Sequence, residues 1–396
     1  MNRARRRYAL AVATIALLVL AIFFGRFGVN DEPVRDHTGP EPPTAAPEMP
    51  SLEPAPDFSE TDLRAALETA CSASDHGRAA RSWADAEKAL DGSDFEQFRR
   101  ELAERLAILP TADHLHAAAL LASDPALRLE LIERSLAENP DDRFGLWSAV
   151  RICSRAPGSF DCPLRDREQR LAAIDGHNSE TWVQVAANRY AEGDHDAALA
   201  ALRQAGAAAE SNGYLAETIE LMERAMAAGT DLPFPGRAVT AWGLAAGELP
   251  RYGSYVTMCR EASAQSPDWA YACLAYGELI ERQGKIELGV RIGLSIQRLA
   301  LDALGDETGA AAVQGRLQAR QAEWRNLFEG RKPGTERLIF LNRRLFSAYL
   351  AAIRSHGEHV AERYLAEEAW RLLEKQPELA CAPVWPDSTG QEFPQR

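Results

Sequence analysis

SETWVQVAANRYAEGDHDAALAALRQAGAAAESN, residues 179–212, decides how the rest of this chain is read. Apolar and small residues recur through it at three- and four-residue spacing, the period of a helix and not of a strand. Trp182 opens one helical pattern, and Ala186 follows four residues on. Gly193-Asp194 interrupts it, and a second pattern carries Ala198 and Ala205. So short a connector forces the two helices to lie antiparallel as an αα-hairpin. Small residues allow close helix approach, and the large Trp182 fills the space between them.

Outward from this segment the helical period holds from Ser59 onward, as in Leu63, Leu67, Cys71 and in Leu102, Leu106, Leu109. Breaks fall at Asp91-Gly92, Asn139-Pro140-Asp141, Ser266-Pro267-Asp268 and Lys332-Pro333-Gly334. They divide the chain into about seventeen helices, with no convincing alternating strand run. Residues 179–212 resemble one tetratricopeptide (TPR) repeat, although the closing Pro of that family is missing. Residues 109–142 and 143–178 fit the same frame more loosely, with His116 and Arg128 where small residues are usual. Residues 143–178 close with Asp175-Gly176-His177-Asn178, an echo of Asn139-Pro140-Asp141-Asp142. Over 213–375 the likeness is only architectural. The resemblance implies an all-α, TPR-like helical-hairpin solenoid over residues 59–375, and another all-α arrangement is the alternative. It also implies a concave groove lined by the first helix of each pair, with His114, Trp147, Arg151, Gln184 and Asn188 as binding residues. Arg151 would pair with a carboxylate of a bound peptide, and Gln184 or Asn188 would bond its backbone. The competing reading makes Trp147 core and the polar four ordinary surface.

Before the helical region the chain changes character twice. Residues 8–24, YALAVATIALLVLAIFF, carry no charge, and as a helix they span roughly 25 Å of a ~30 Å hydrocarbon layer. Arg3, Arg5, Arg6 and Arg7 precede the run and Arg26 follows it. The bias keeps the basic stub 1–7 in the cytoplasm and exports the rest, which reads as a single-pass signal-anchor of a bacterial inner membrane with a periplasmic domain. A cleaved signal peptide and a buried core helix are the rival readings; Phe23-Phe24-Gly25-Arg26-Phe27 is a poor cleavage site. Residues 25–58 read as a disordered linker, with eight prolines between 29 and 58. Residues 376–396 form a tail.

The formal net charge is −14, and the first thirty residues hold five arginines and no acid. Removing those five from 44 basic residues leaves 39 against 58 acids. A body that acidic repels phosphate backbones, so nucleic acid is an improbable partner. The densest basic group outside the anchor is Arg331, Lys332, Arg337, Arg343 and Arg344, suited to internal pairing, anionic lipid or an acidic partner.

Six cysteines in an exported chain favour disulfides. Cys153 ends a helix with Cys162 across a Pro/Gly loop, and Cys259 and Cys273 flank Ser266-Pro267-Asp268 almost symmetrically. These are the expected bridges; Cys71 and Cys381 pair only if the ends of the array meet. No GxSxG, GxxxxGK[ST] or HExxH motif occurs, and no cofactor or metal is expected. His356, His359 and Glu362 share a helix face but read as a solvated one, as do most carboxylates. The functional expectation is a membrane-anchored scaffold or adaptor for envelope proteins or peptides. The alternatives are an all-α envelope enzyme without a known motif and a purely structural subunit of an envelope complex.

Overall fold

Six helix starts among the described residues coincide with a side chain that accepts a hydrogen bond from the first helical turn. Thr111, Asp124, Asn178, Asp194, Ser266 and Asn342 each do so at an N-cap, and Pro125 and Pro267 follow two of them. The computed structural model describes residues 92–155, 162–329 and 335–375. Every regular element among these residues is a helix. In chain order they are α1 (Gly92–Ala107), α2 (Ala112–Leu121), α3 (Pro125–Glu138), α4 (Arg143–Arg155), α5 (Leu164–Asp175), α6 (Ser179–Ala191), α7 (His195–Ala207) and α8 (Leu215–Gly229). Then follow α9 (Phe234–Ala246), α10 (Tyr252–Ser263), α11 (Pro267–Gln283), α12 (Glu287–Leu304), α13 (Glu307–Glu329), α14 (Thr335–Leu341), α15 (Arg343–His356) and α16 (Glu358–Lys375). The expected stub 1–7, apolar run 8–24, linker 25–58 and tail 376–396 lie outside the described residues, as do Cys71, Cys381, Arg331 and Lys332. No helix among the described residues is long and apolar enough to cross a membrane.

The hairpin read from residues 179–212 is α6 and α7. Ala186, Ala198 and Ala205 are fully buried where the helices meet, and Gly193 takes φ +81° at the turn. The Trp182 indole N–H donates 2.8 Å to the Gly176 carbonyl. Buried apolar side chains gather into two cores. One collects Leu106, Leu121, Ile132, Trp147, Ile219, Trp242, Tyr349 and Leu373 from α1–α4, α8, α9, α15 and α16. The other collects Val183, Leu202, Tyr255, Cys259, Cys273, Tyr276 and Ile296 from α6, α7 and α10–α12. Leu288 packs against both.

The helices do not touch only their chain neighbours, as in an open solenoid. Helix α8 packs on α1, α2 and α15, α7 on α11, and α9 on α14. Along one edge the turns between hairpins are joined backbone to backbone. Ser179 N–H donates to Glu210 C=O at 2.8 Å, Lys285 N–H to Ser211 C=O at 3.1 Å, and Glu358 N–H to Lys285 C=O at 2.8 Å. The α5–α6, α7–α8, α11–α12 and α15–α16 turns thus form one ladder.

Helices α11 and α12 approach with only glycine between their backbones. A methyl carbon on Gly277 would lie 2.7 Å from the Gly293 carbonyl oxygen. Gly277→Ala should therefore lower stability by about 1–3 kcal/mol, read as a drop in the urea midpoint. Gly253→Ala, where a methyl carbon meets nothing within 4 Å, should hold or raise it. Equal midpoints for the two variants would refute the close-approach account.

Candidate functional site

Trp147 and Arg151 stand one turn apart on α4, so their side chains stack, the guanidinium 5.7 Å from the indole centre. Trp147 is fully buried, 5.8 Å from the Tyr214 ring. Arg151 is 5% exposed and donates to the Glu248 and Leu249 carbonyls, the latter at 2.6 Å. The Glu248 carboxylate also accepts from Arg128 at 3.1 Å and Arg155 at 3.0 Å. Burial draws the Arg151 guanidinium down to about 10, which leaves it charged at neutral pH. Burial alone would raise Glu248, but Arg128, Arg151 and Arg155 outweigh it and hold the carboxyl below the usual range. The groove role expected of Arg151 gives way to an internal one, because α9 delivers Glu248 and two free carbonyls to its terminal nitrogens.

Gln184 and Asn188 belong to a hydrogen-bond chain on α6. Tyr255 Oη donates to Gln184 Oε1 at 3.2 Å, Gln184 Nε2 to Asn188 Oδ1 at 2.9 Å, and Asn188 Nδ2 to Glu168 Oε1 at 2.7 Å. Arg189 pairs with the other oxygen of Glu168. Gln184 is buried and Asn188 half-buried. His114 lies apart from these four and hydrogen-bonds Thr111 at 2.7 Å. It lines a shallow depression with Thr111, Ala112, Asp113, Arg224 and Ala225, where Arg224 pairs with Asp113 at 2.9 Å. The structure therefore scatters the five sequence-named residues over three places.

It gathers others that sequence reading passed over. Asp175, Asn178, Ser179, Glu180, Ser211 and Tyr214 form a buried polar seam where the α5–α6 turn meets the α7–α8 turn. Asp175 Oδ2 accepts from Asn178 at 3.0 Å, Thr181 at 2.7 Å and Tyr214 at 2.8 Å. Its Oδ1 has no hydrogen-bond partner and lies 3.8 Å from His177 Nε2, which is 3.3 Å from Glu210 Oε1. These three side chains are the ones able to hold a metal ion among the described residues. Glu180 Oε1 accepts from Ser211 at 3.1 Å, and its Oε2 is buried and unpartnered. Burial raises the Glu180 carboxyl to about 7, against the Ser211 hydrogen bond and the Arg151 charge, which both lower it. The sequence signal was the polar run Asp175–Glu180, which reads locally as an ordinary hairpin close.

One further expectation changes. His359 and Glu362 are not on a solvated face: α16 packs under α13–α15, so His359 Nε2 meets Glu323 at 2.8 Å and Glu362 accepts from Tyr349 at 2.7 Å. His116, buried beside Ser148 at 2.8 Å, is held by burial down at about 3 and is neutral. Arg343 of the basic group pairs with Glu223 at 3.8 Å. Cys153 and Cys162 stand at bonding distance, Cα–Cα 6.0 Å, and so do Cys259 and Cys273, Cα–Cα 5.8 Å.

Arg151→Met leaves Glu248 short of one cation and two carbonyls without donors. It should cost about 3–5 kcal/mol, visible as a fall in Tm; a variant as stable as the native chain would show that the guanidinium is dispensable inside. Glu180 titrates near 4.5 when unfolded and near 7 when folded, so the folded chain holds the extra proton between those values. Ionisation then weakens the fold as pH rises through that window. Glu180→Gln should gain about 3 kcal/mol over the native chain at pH 8, the gain shrinking as pH falls toward 4.5. A gain that is constant from pH 5 to pH 8 would contradict the raised carboxyl. No family model, curated protein or solved structure matches this chain.

Proposed function

We propose that this chain is a membrane-tethered, extracytoplasmic helical-hairpin scaffold that holds a protein or peptide partner of the bacterial envelope. The observation that carries this reading is the pairing of the four described cysteines. Each pair sits at bonding distance between neighbouring helices or their connecting loop, an arrangement suited to an oxidising compartment. The arginine-flanked apolar run 8–24 supports the same topology, and α6–α7 support a TPR-like hairpin array that is rolled back on itself through α8. Trp147, Arg151 and Gln184 are occupied inside the molecule. The partner surface is therefore assigned to the accessible depression around His114, Asp113 and Arg224. For the alternative of an all-α enzyme, Glu180 is a candidate acid, raised by burial to about 7 but only 1% exposed.

A reporter fused after Arg396 and thiol alkylation of the native chain in cells test the reading together. The reporter should be active only outside the cytoplasm. In chain denatured straight from cells, Cys259 and Cys273 should resist alkylation until reduced, and Cys259→Ser should free Cys273. A cytoplasmically active reporter with all thiols alkylated at once would overturn the proposal.

A further inference from the structure

The echo Asp175-Gly176-His177-Asn178 has a chemistry that a scaffold does not use. We infer that Asp175, His177 and Glu210 form a binding site for one divalent transition-metal cation of the zinc type, with at least one coordination position open to solvent. The three ligand atoms lie within 4.8 Å of one another. His177 Nε2 stands 3.3 Å from Glu210 Oε1 and 3.8 Å from Asp175 Oδ1. Zinc bonds of about 2.0–2.2 Å set the edges of a tetrahedron at roughly 3.3–3.5 Å, so one edge is already in place and another must close slightly.

The Asp175 side chain is an independent pointer to a ligand. It is fully buried, yet Oδ1 has no hydrogen-bond partner and faces the imidazole. A carboxylate oxygen left dry and unpaired is unfavourable, and a cation at this point satisfies it. Oδ2 is fixed by three donors, from Asn178, Thr181 and Tyr214. Such outer contacts orient a ligating carboxylate and leave its second oxygen for the metal. The two loops are also held together before any ion arrives. The His177 carbonyl accepts from Ala209 N–H at 2.9 Å and Glu210 N–H at 3.1 Å, and Ser179 N–H donates to the Glu210 carbonyl. Two carboxylates and a neutral imidazole balance the charge of one divalent ion. The imidazole favours zinc and its neighbours over calcium or magnesium, which take oxygen. The His177 side chain is 48% exposed and that of Glu210 32%, so the ion has a way in and water a place on it.

The test uses the full-length chain in detergent, stripped with EDTA and titrated with Zn2+ against a chromophoric chelator. One site of roughly micromolar or tighter affinity is expected, unmoved by equal Ca2+ or Mg2+. His177→Ala and Glu210→Gln replace half-exposed groups, so both should keep the native circular dichroism while weakening Zn2+ by tenfold or more. His356→Ala, an exposed histidine elsewhere, should bind as the native chain does. Co2+ in place of Zn2+ should give visible absorption from the native chain and lose it in His177→Ala. Absence of saturable Zn2+ binding by the native chain, or its retention by both ligand variants, would mean an ion pair only and overturn the site. Neither result bears on the topology of the scaffold, which the reporter and thiol measurements address separately.

Discussion

Four hydrogen bonds at one buried amide, that of Asn178, hold the α5–α6 turn in register with the α7–α8 turn. Nδ2 donates to Asp175 Oδ2 and to the Asn212 carbonyl, both at 3.0 Å. Oδ1 accepts from Glu180 N–H at 3.2 Å and Asn212 N–H at 2.9 Å. The same side chain therefore caps α6 and seizes the turn that leads into α8. Apolar burial drives collapse but has no direction. An amide with every donor and acceptor engaged has one, and removing it strands buried groups at about 1–3 kcal/mol each.

From this point the register passes along the ladder of turns. Asn178 pairs with Glu210, Ser211 with Gly284, and Lys285 with Glu358, so the hairpins are fixed by their connectors as well as by their helices. The ladder explains why Gly357 takes φ +86°: its backbone lies against Gly284 and Lys285, and a methyl carbon there would sit 3.2 Å from the Gly284 carbonyl oxygen. It also explains how helices far apart in sequence share a core. Once the turns are aligned, α8 is delivered between α1, α2 and α15 without needing to touch α7 along its length.

What could be read from the sequence was what is local. Helical period, the breaks at Asn139-Pro140-Asp141 and Ser266-Pro267-Asp268, the turn at Gly193-Asp194 and the two cysteine pairs all depend on residues less than fifteen apart. Arg151 illustrates the limit. On α4 alone it is a cation on a helix face; its partner Glu248 lies 97 residues away and is placed by the return of α9. Gln184 and Asn188 likewise read as groove residues on α6 alone, because the Tyr255 hydroxyl that bonds Gln184 comes 71 residues later and Glu168, which Asn188 bonds, belongs to another helix. The Asp175–Glu180 run was harder still, since polar residues at a turn are the ordinary content of a turn. Burial distinguishes the two cases, and burial is a property of the assembled chain.

Buried charge is expensive as a means of stability. Arg151, Glu248, Glu168, Glu180 and Asp175 are all removed from water, and well-packed apolar side chains would serve at least as well energetically. What they supply is selection among arrangements. Helical hairpins rich in alanine offer many nearly equivalent ways to slide and restack, since small residues fit one another at several registers. A shift of α6 with its N-terminal turn against the α7–α8 turn and α10 would part Asn178 from Asn212, Asp175 from Tyr214 and Gln184 from Tyr255. Each separation leaves a dry polar group, so the alternatives lose by several such penalties at once. Three oxygens of the Asp175–Tyr214 seam are left over from this arrangement, Asp175 Oδ1, Ser179 Oγ and Glu180 Oε2, and of these Asp175 Oδ1 is the one beside His177. It lies beside His177 and Glu210, whose side chains are 48% and 32% exposed, so an ion from solution has a path to it that the other two oxygens lack.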